Sequence, residues 1–595
     1  MRTVPLATLA WQDDTPFSER FQDIYYHRQG GWGESDWVYV GANGVPDRCQ
    51  QPLLQVGEIG FGTGLNFFNT VKHFRARGGR RLVYVAFEFN PIGRADLEKI
   101  HRDWPLPELR HRFYDLYPNN LAGFHWLNLS AEVALLLVFG DVRDTLPQLD
   151  GRLDCWYVDG FNPARNPDCF SQETLSQLAR CSRPSATLSS FSAASVFRTN
   201  LQAAGWRWEK RPGFLQKREM VWATLEREVN EEPQWFDRPA PLALGSRVAV
   251  IGGGIAGLTA AQALRADYQI TVFSTGIPAS AVPVAVPYLH LDSSETIMSR
   301  YHLQGWRLAM QQYAALGAPS FQPLPMLNHG LTAGQLRALA EVFPGGAEGA
   351  SYRVAAGLVH TAPLLAHLAN DLEVINERVQ LGRAGDRWQI NGRAFDGVII
   401  CSGWQSELLE PFYRSILRPV AGQGSVFSCR EKMTAIECGH KSLLPYGDHI
   451  YSGGTFHPRA STIADPAADD AENRAALAQR FPGAEIELVE HFANVRGANR
   501  DYFPMVGPVA ELADACQRFA GLRHDARALP REKLTLQPGL YYNVGLGSKG
   551  YSHSWLNAQL LRSLLSGAVL PLSREVLPYV YPSRFILRAL KRRQL

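Results

Sequence analysis

The stretch LLQVGEIGFGTGLNFF, residues Leu53–Phe68, is an apolar strand that runs into three spaced glycines and then into an apolar helix. Glycine lets the backbone approach a ligand closely and turn tightly into a helix. A second stretch of this kind, RVAVIGGGIAGLTAAQAL, occupies Arg247–Leu264. Each strand–loop–helix unit is expected to nucleate its own parallel sheet. The two stretches therefore predict an α/β chain with two ligand-binding halves.

A segment between the two stretches predicts where the halves divide. Val229–Arg247 is rich in proline and charge and has neither helical nor strand periodicity, which is typical of a linker. A chain of 595 residues has room for several domains or for two large ones. We therefore predict a first domain over residues 1–235 and a second over residues 245–595.

Composition narrows the class of protein without naming a partner. Sixty basic residues against 57 acidic ones give a net charge of +3, which neither requires nor excludes a polyanionic partner. The eight cysteines are scattered without a C-x-x-C pair, so neither a zinc site nor a disulfide framework is indicated. No signal-peptide core or membrane-length apolar run is visible. We expect a cytoplasmic protein with reduced thiols, no metal and no membrane segment.

Acidic residues follow the apolar strands of the first half. Glu58, Glu88, Asp141 and Asp159 each stand at or just after a strand end. In open α/β sheets the ligand binds at this carboxyl edge. Acid-x-G-x-G-x-G followed by such acids is the layout of class I S-adenosylmethionine methyltransferases, and it lacks the G-x-G-x-x-G spacing that dinucleotides prefer. The residues predicted to bind the methyl donor are Glu58, Gly60, Gly62, Gly64, Glu88 and Asp141.

Asp159 is the candidate catalytic residue of the first half. Methyl transfer to an amine needs a neutral nitrogen lone pair, and a carboxylate at a strand end can orient the amine and accept its proton. Two plainer interpretations stay open: Asp159 could cap a following helix, and Asp141 could be a turn residue.

The second glycine stretch resembles the adenine-nucleotide module of flavoproteins. Gly252, Gly254 and Gly257 have G-x-G-x-x-G spacing, which would place a pyrophosphate on the helix N-terminus. Phe395–Trp404 is predicted as a late strand, and Gln537–Leu561 as a strand, a glycine loop and a helix that close over a flavin. These features predict a bound nucleotide cofactor.

Several longer motifs point to one family. They are WYVDGFNPARNPDCF (156–170), VRGANRDYFPMVGP (495–508), GLGSKGYSHSWLNAQLL (545–561) and YPSRFILRALKRR (581–593). Over nearly its full length, and in the same domain order, the chain resembles the MnmC family of bifunctional tRNA-modifying enzymes. The resemblance implies an N-terminal class I Rossmann-like methyltransferase domain. It also implies a C-terminal FAD-dependent, D-amino-acid-oxidase-like α/β domain with an antiparallel-sheet substrate subdomain.

The resemblance also implies two consecutive reactions on the wobble uridine of tRNA. The flavin domain would remove the carboxymethyl group from 5-carboxymethylaminomethyl-(2-thio)uridine. The first domain would then methylate the resulting amine from S-adenosylmethionine. Two alternatives stay open: a methyltransferase whose C-terminal half is a flavin-free tRNA-docking domain, and a small-molecule amine oxidase fused to an amine methyltransferase.

Site residues in the second half follow from matching motifs. Arg496 is the candidate for binding the substrate carboxylate, with Arg500 as the alternative, because a guanidinium pairs with a carboxylate bidentately. Lys549 stands where the family usually has arginine, and we assign it a catalytic role. Gly547 and Gly550 are assigned to the cofactor.

The chain departs from the family beside the expected flavin. Ser274 stands where an acidic residue normally holds the ribose, although we still assign it to the cofactor. ASAVPVA (279–285) replaces a segment of the form A-S-G-N-x-x-G, so two glycines and an asparagine are lost. Alanine does not easily adopt positive φ, and a serine is a weaker acceptor than a carboxylate. These departures predict weakened flavin binding.

A basic C-terminal segment is the candidate RNA contact. On a helix, Arg588, Lys591 and Arg592 would lie on one side together with Arg584, which suits a phosphate backbone. The plainer interpretation is a solvated helix. We expect a monomer that has tRNA as its partner.

Overall fold

A computed structural model describes residues 2–12, 15–26, 30–215, 218–227, 229, 231–404, 406–528 and 530–595. The chain forms two compact units. The first unit comprises Met1–Glu232 and Gly567–Glu575, and the second comprises Pro233–Ser566 and Val576–Leu595.

The segment Gly567–Glu575 belongs to the first unit although it lies far along the chain. The Leu570 amide donates to the Asp150 carbonyl at 2.9 Å, and the Arg574 amide donates to the Gln148 carbonyl at 2.8 Å. The sequence predicts that these residues belong to the second domain, and the predicted domains, 1–235 and 245–595, stay predictions.

The first unit contains an eight-stranded sheet and a separate sheet formed by its first three strands. Its strands are β1 (Leu9–Gln12), β2 (Thr15–Ser18), β3 (Asp23–Ile24), β4 (Leu54–Ile59), β5 (Leu82–Glu88), β6 (Gly123–Asn128), β7 (Val133–Phe139), β8 (Leu153–Val158), β9 (Ser182–Ser190), β10 (Trp206–Pro212) and β11 (Glu219–Leu225). Its helices are α1 (Gly31–Glu34), α2 (Val45–Arg48), α3 (Leu65–Ala76), α4 (Arg94–Ile100), α5 (Pro107–Leu116), α6 (Val142–Thr145), α7 (Gln172–Arg180) and α8 (Ser195–Ala203). A π-helical turn covers Ser35–Gly41.

The order of the eight-stranded sheet is β10-β11-β9-β8-β4-β5-β7-β6. The central strands β8, β4, β5 and β7 run parallel, whereas β6, β10 and β11 are antiparallel to their neighbours. Every residue of β4 and of β8 is buried, which is typical of parallel strands covered on both faces. Because the parallel strands share a direction, the residues that follow them meet at one edge of the sheet.

The second unit contains further sheets. Its strands are β12 (Arg247–Ile251), β13 (Gln269–Phe273), β14 (Val284–Ala285), β15 (Phe321–Asn328), β16 (Ala347–Glu348), β17 (Ser351–His360), β18 (Glu373–Ile375), β19 (Leu381–Ala384), β20 (Arg387–Ile390), β21 (Arg393–Phe395), β22 (Gly397–Ile400), β23 (Arg418–Ser428), β24 (Ile436–Cys438), β25 (Ser442–Tyr446), β26 (His449–Gly453), β27 (His457–Pro458), β28 (Glu487–Ala498), β29 (Met505–Ala510) and β30 (Leu536–Val544). Its helices are α9 (Ile255–Leu264), α10 (Ile297–Leu316), α11 (Ala333–Val342), α12 (Thr361–Ala369), α13 (Pro411–Ile416), α14 (Pro466–Arg480), α15 (Leu512–Arg518), α16 (Gly550–Ser566), α17 (Leu577–Val580) and α18 (Arg584–Lys591).

Two of these sheets define the architecture of the second unit. A six-stranded sheet has the order β18-β13-β12-β22-β30-β29 and is parallel except for the edge strand β29. A ten-stranded, mostly antiparallel sheet contains the long strands β15, β17, β23 and β28. The predicted α/β domain with an antiparallel substrate sheet is thereby confirmed. No helix among the described residues is long and apolar enough to cross a membrane.

Candidate functional sites

A cavity of about 620 Å³ opens at the carboxyl edge of β4, β5, β7 and β8 in the first unit. The sequence-predicted residues that line it are Gly60, Gly62, Glu88, Asp141 and Asp159. Glu58 and Gly64, which were also predicted to bind the methyl donor, are not among its lining residues. The sheet topology thus brings most of the predicted site together from four separate strands.

The glycine loop after β4 has no room for a side chain at Gly60 or Gly64. Gly60 has φ of 90°, and a Cβ there would lie 2.3 Å from the carbonyl oxygen of Asp159. Gly64 begins α3 with φ of 78°, and a Cβ there would lie 2.8 Å from the ring of Phe61. The loop therefore rests directly on the end of β8, and Gly64 serves this turn from outside the cavity.

Glu88 braces the loop from the end of β5. Its Oε2 accepts a hydrogen bond from the Gly62 amide and its Oε1 accepts one from the Asn90 amide, each at 2.8 Å. Burial raises the pKa of Glu88, and these backbone donors act in the opposite direction. Because the residue also lines the cavity, its carboxylate is placed to accept from a ligand hydroxyl.

Asp159 is held by two donors that the sequence did not reveal. Its Oδ1 accepts from the Tyr39 hydroxyl at 2.5 Å, and its Oδ2 accepts from Asn66 Nδ2 at 2.6 Å. Burial and the Asp159 charge raise the pKa of Tyr39 well above its ordinary value, so the phenol stays a donor. The next helical segment begins at Pro167 with Asn166 in the N-cap position, so Asp159 does not cap it.

Glu58 lies beside this network, and its carboxylate is 1% exposed. Its Oε1 accepts from Asn66 Nδ2 at 2.8 Å and its Oε2 from the Tyr84 hydroxyl at 2.9 Å. Burial and the charge of Asp159 raise the pKa of Glu58 well above its ordinary value. The position of Glu58 suits orienting Asn66 toward Asp159 rather than contacting a ligand.

Asp141 both caps a helix and lines the cavity. It caps α6 by accepting from the Arg143 amide at 2.9 Å, and it pairs with Arg143 Nη2 at 2.6 Å. The hydrogen bond from Arg143 holds the pKa of Asp141 below its usual range. Asp141 is therefore a helix N-cap that also lines the cavity, and its role in binding the methyl donor stays a prediction.

Aromatic and basic side chains add to the cavity wall. The Phe21 and Phe161 rings stack at 4.6 Å, and Tyr25 meets Phe161 edge-on at 5.2 Å. The Arg20 guanidinium lies 4.6 Å from the centroid of the Phe89 ring. All five residues line the cavity, and their type suits a flat base with a phosphate nearby.

The second glycine loop, after β12, is equally tight. Gly252 has φ of 119°, and a Cβ there would lie 2.6 Å from the carbonyl oxygen of Cys401. A Cβ on Gly257 would lie 1.8 Å from the carbonyl oxygen of Gly252. Gly254 caps α9, so the amides of its first turn face the loop. This cradle fits the diphosphate of a nucleotide such as FAD.

Two serines lie beside this cradle: Ser274, at the position where a carboxylate was expected, and Ser280, which matches the serine of the expected A-S-G-N-x-x-G segment. Ser274 follows β13, and a Cβ on Gly253 would lie 2.4 Å from its Oγ. The Ile255 amide, first in α9, donates to Ser280 Oγ at 3.1 Å. Ser280 belongs to the departing segment 279–285, and its carbonyl accepts from the Tyr551 hydroxyl at 2.5 Å. Bound FAD would therefore meet hydroxyls here, with no carboxylate at position 274.

The late glycine loop comes close to the same helix. Gly547 has φ of 56° and opens a 3-10 turn before α16. A Cβ on Gly550 would lie 3.3 Å from Ile255 Cγ2. The structure thus brings together the two sequence segments that were assigned to the flavin.

Arg496 is a largely buried cation on β28. A Cβ on Gly422 or on Gly454 would lie 2.9 or 3.1 Å from its Nη2, so the guanidinium occupies space that only glycine leaves open. Burial lowers the pKa of Arg496, and Tyr451 acts in the opposite direction. Among the described residues no carboxylate pairs with Arg496, whereas the alternative candidate, Arg500, is exposed.

Lys549 is a second cation without an ion pair in the described chain. Its Nζ lies 4.2 Å from the centroid of the Tyr288 ring, and burial lowers its pKa to about 8. His302 Nδ1 and His553 Nε2 form a buried hydrogen bond of 2.6 Å. Burial, with Lys549 as the next cause, lowers the pKa of His302 to about 3. The histidines are therefore neutral, a feature that the sequence did not signal.

The predicted RNA-binding helix is only partly available. Arg588 pairs with Asp501, and Arg584, 2% exposed, pairs with the same carboxylate at 3.0 Å. Lys591 is partly exposed and Arg592 is exposed. Two arginines of α18, Arg584 and Arg588, are thus engaged in ion pairs with Asp501. The described residues include no cluster of three or more His, Cys, Asp or Glu suited to a metal ion.

Comparison with known proteins defines the class of each half. The family model described as an S-adenosyl-L-methionine-dependent methyltransferase matches residues 105–226, and that of the FAD dependent oxidoreductases matches residues 304–564. The chain is therefore a bifunctional enzyme with both activities and both cofactors, as the sequence predicted. The crystal structure of a glycine oxidase from Geobacillus kaustophilus is 16% identical and aligns with a TM-score of 0.41 over 54% of this chain and 95% of the oxidase chain.

Full-length relatives then identify the family. The tRNA 5-methylaminomethyl-2-thiouridine biosynthesis bifunctional protein MnmC of Dichelobacter nodosus is 32% identical, with 99% of each chain covered. The protein of the same name from Pseudomonas aeruginosa is 33% identical, again with 99% of each chain covered. The chain belongs to the MnmC family.

Proposed function

We propose that this chain performs two successive reactions on the wobble uridine of tRNA. The second unit removes the carboxymethyl group from 5-carboxymethylaminomethyl-(2-thio)uridine. The first unit then methylates the exposed amine to give 5-methylaminomethyl-(2-thio)uridine. Support comes from the full-length relatives, whose shared name is a tRNA 5-methylaminomethyl-2-thiouridine biosynthesis bifunctional protein.

The single observation that carries the methylation step is the fixed carboxylate on the cavity wall. S-adenosylmethionine supplies the methyl group. Both oxygens of Asp159 are held by donors, Tyr39 and Asn66, which fixes the plane of the carboxylate. An acceptor in this position takes a hydrogen bond from the substrate amine and turns its lone pair toward the cavity. After transfer the nitrogen carries a positive charge, and its surplus proton passes to Asp159 or to water.

The cavity wall supports a nucleobase as the bearer of that amine. Phe21, Tyr25 and Phe161 form an aromatic group beside Asp159 on the cavity lining. A base that leaves its stack to reach an active site is commonly held by such rings. Arg20 and Arg165, also on the lining, would contact the neighbouring phosphates.

The removal of the carboxymethyl group rests on cations. FAD, when bound, would accept the two electrons removed from the carbon–nitrogen bond, and water would then release the two-carbon group as glyoxylate and leave the amine. Arg496 would bind the substrate carboxylate bidentately, and among the described residues no carboxylate competes for its charge. Lys549 would add a second positive charge, which its depressed pKa makes sensitive to pH.

The test is a pair of reactions on tRNA that carries 5-carboxymethylaminomethyluridine. With FAD-loaded protein alone we expect aminomethyluridine, and with S-adenosylmethionine added we expect methylaminomethyluridine, both measured by nucleoside mass spectrometry. Unchanged tRNA beside methylation of a pre-formed aminomethyl-tRNA would support the flavin-free docking alternative. No reaction on either tRNA, with turnover of free amines, would support the small-molecule alternative.

A further inference from the structure

The second unit carries a surface that none of the reactions above explains. We call it the arginine patch, and it consists of Arg418, Arg459, Arg500, Phe456 and Tyr502. The rings of Phe456 and Tyr502 are 62% and 74% exposed, which is unusual for large aromatic side chains. Arg459 and Arg500 are exposed and Arg418 is partly exposed.

Strand pairing brings the three arginines to one end of β23. Arg418 begins β23 and pairs with Ala498 at the end of β28, two residues before Arg500. From the other side, β27 pairs with β23, and the Arg459 amide donates to the Pro419 carbonyl at 2.9 Å. Phe456 precedes β27 directly, and the Tyr502 amide donates to the Asn499 carbonyl in the turn after β28. Three separate segments therefore contribute to the patch, and the sequence of no single segment predicts it.

The positive charge of the patch is not balanced locally. None of its arginines pairs with a carboxylate among the described residues. The nearest acid in the sequence, Asp501, already accepts from Arg584 and Arg588. Burial, followed by the guanidiniums of Arg500 and Arg459, lowers the pKa of Arg418. Three like charges are thus held together without an anion, which costs stability unless a polyanion binds.

The patch also adjoins the proposed carboxylate-binding residue. Arg496 lies on β28 two residues before Ala498, the cross-strand partner of Arg418. Residues two apart on a strand point to the same face of the sheet. A polymer bound along the patch would therefore run past the position where the substrate carboxylate is held.

We propose that the arginine patch binds the phosphate backbone of tRNA, while Phe456 and Tyr502 stack on unpaired nucleotides beside the wobble position. This inference rests on the proposed function and names the surface through which the second unit holds its substrate. Arginine pairs bidentately with phosphate, and exposed rings accept any base on their faces. An acidic protein partner would use the charges but has little need of exposed stacking rings, so RNA is favoured.

The direct test measures tRNA binding against salt concentration with FAD-loaded full-length protein. The variant Arg459→Ala/Arg500→Ala should raise the Kd for tRNA about tenfold at low salt and reduce the slope of log K against log salt by about 1 per arginine. The matched control is Arg430→Ala, which removes an arginine that is 90% exposed and lies 3.7 Å from Glu485. Flavin absorbance and melting temperature show that each variant is folded.

Two further variants keep the inference open to contradiction. Phe456→Ala/Tyr502→Ala should weaken tRNA binding at least threefold with little change in salt slope, because stacking releases no counterions. Arg592→Ala/Arg593→Ala should have a smaller effect than the patch variant. The proposal is overturned if Arg459→Ala/Arg500→Ala leaves the Kd for tRNA unchanged, or if Arg592→Ala/Arg593→Ala causes the larger loss of tRNA affinity. Either outcome leaves tRNA as the substrate. Wild-type protein that neither binds nor modifies tRNA overturns the proposed function as well.

Discussion

The two glycine loops each join a parallel strand to a helix, and they differ in glycine spacing and in the residues that surround them. In the first unit the loop amide of Gly62 donates to a carboxylate, Glu88, at the end of the second strand. In the second unit the corresponding strand is followed by Ser274, and the first helical amide donates to the hydroxyl of Ser280. The glycines create the space, and the residue after the second strand decides which group can hold a ribose.

The candidate catalytic residues of the two sites carry opposite charges. Asp159 is an anion whose oxygens are held by Tyr39 and Asn66, so it is prepared for an amine that donates hydrogen bonds. Arg496 and Lys549 are cations without carboxylate partners in the described chain, so they are prepared for an anion. The first site is thus complementary to the product that the second site is proposed to release.

Breaking the first site should give the largest effect. Asp159→Asn keeps the size of the side chain but removes the proton acceptor, so kcat for methylation of aminomethyl-tRNA should fall about 10²- to 10⁴-fold. Binding of S-adenosylmethionine, measured by calorimetry, should change little. Tyr39→Phe, which removes one donor to the carboxylate, should cause a smaller loss of about tenfold. A methylation rate within threefold of wild type for Asp159→Asn would contradict the role of this residue.

Breaking the second site should leave the first site active. Arg496→Ala removes the charge-assisted bonds to the substrate carboxylate, so kcat/KM for carboxymethyl removal should fall about 10- to 100-fold. Arg496→Lys keeps the charge without the bidentate geometry. Its kcat/KM should therefore lie between those of the wild type and Arg496→Ala. Methylation of aminomethyl-tRNA serves as the internal control. Equal turnover by all three proteins would assign the carboxylate to another residue.

Much of this comparison was readable from the sequence because it rests on local patterns. The glycine loops and the carboxylates after β5, β7 and β8 follow from apolar strands and the residues directly behind them. The donors to Asp159 were not predictable, since Tyr39 lies 120 positions away. The His302–His553 pair, 251 positions apart, and the return of Gly567–Glu575 to the first unit depend likewise on tertiary packing.

Charge at Lys549 offers a pH test of the second site. Its pKa of about 8 means that the ammonium is present below pH 8 and lost above it. Affinity for a carboxylate substrate should therefore be constant at low pH and fall about tenfold between pH 7 and pH 9. Lys549→Arg keeps its charge and should abolish this dependence. A wild-type profile that is flat over this range would contradict the assignment.

The lowered pKa of Lys549 also makes the stability of the protein depend on pH. The unfolded chain keeps this proton up to the ordinary pKa of 10.5, whereas the native protein releases it near 8. Between these values the unfolded state binds more protons, so the Lys549 contribution to the free energy of unfolding rises with pH. Chemical denaturation at several pH values measures this contribution. The free energy of unfolding of the wild type, relative to that of Lys549→Met, should rise with pH over this range.

An acidic residue restored at position 274 should have the smallest effect of the substitutions considered. Ser274→Asp places a carboxylate beside the glycine loop, as Glu88 is placed in the first unit, and should lower the Kd for FAD about fivefold. Ser461→Asp, at an exposed serine, controls for the added charge. Flavin fluorescence titration measures both. An unchanged or higher Kd for Ser274→Asp would show that position 274 does not face the ribose.

The most direct test of two separate and successive sites is one reaction mixture with three proteins. Each is incubated with carboxymethylaminomethyl-tRNA, FAD and S-adenosylmethionine, and the wobble nucleosides are measured by mass spectrometry. The account predicts methylaminomethyluridine from wild type, accumulated aminomethyluridine from Asp159→Asn, and mainly unreacted carboxymethylaminomethyluridine from Arg496→Ala. Methylaminomethyluridine at wild-type levels from either variant, or the same intermediate from both, would contradict it.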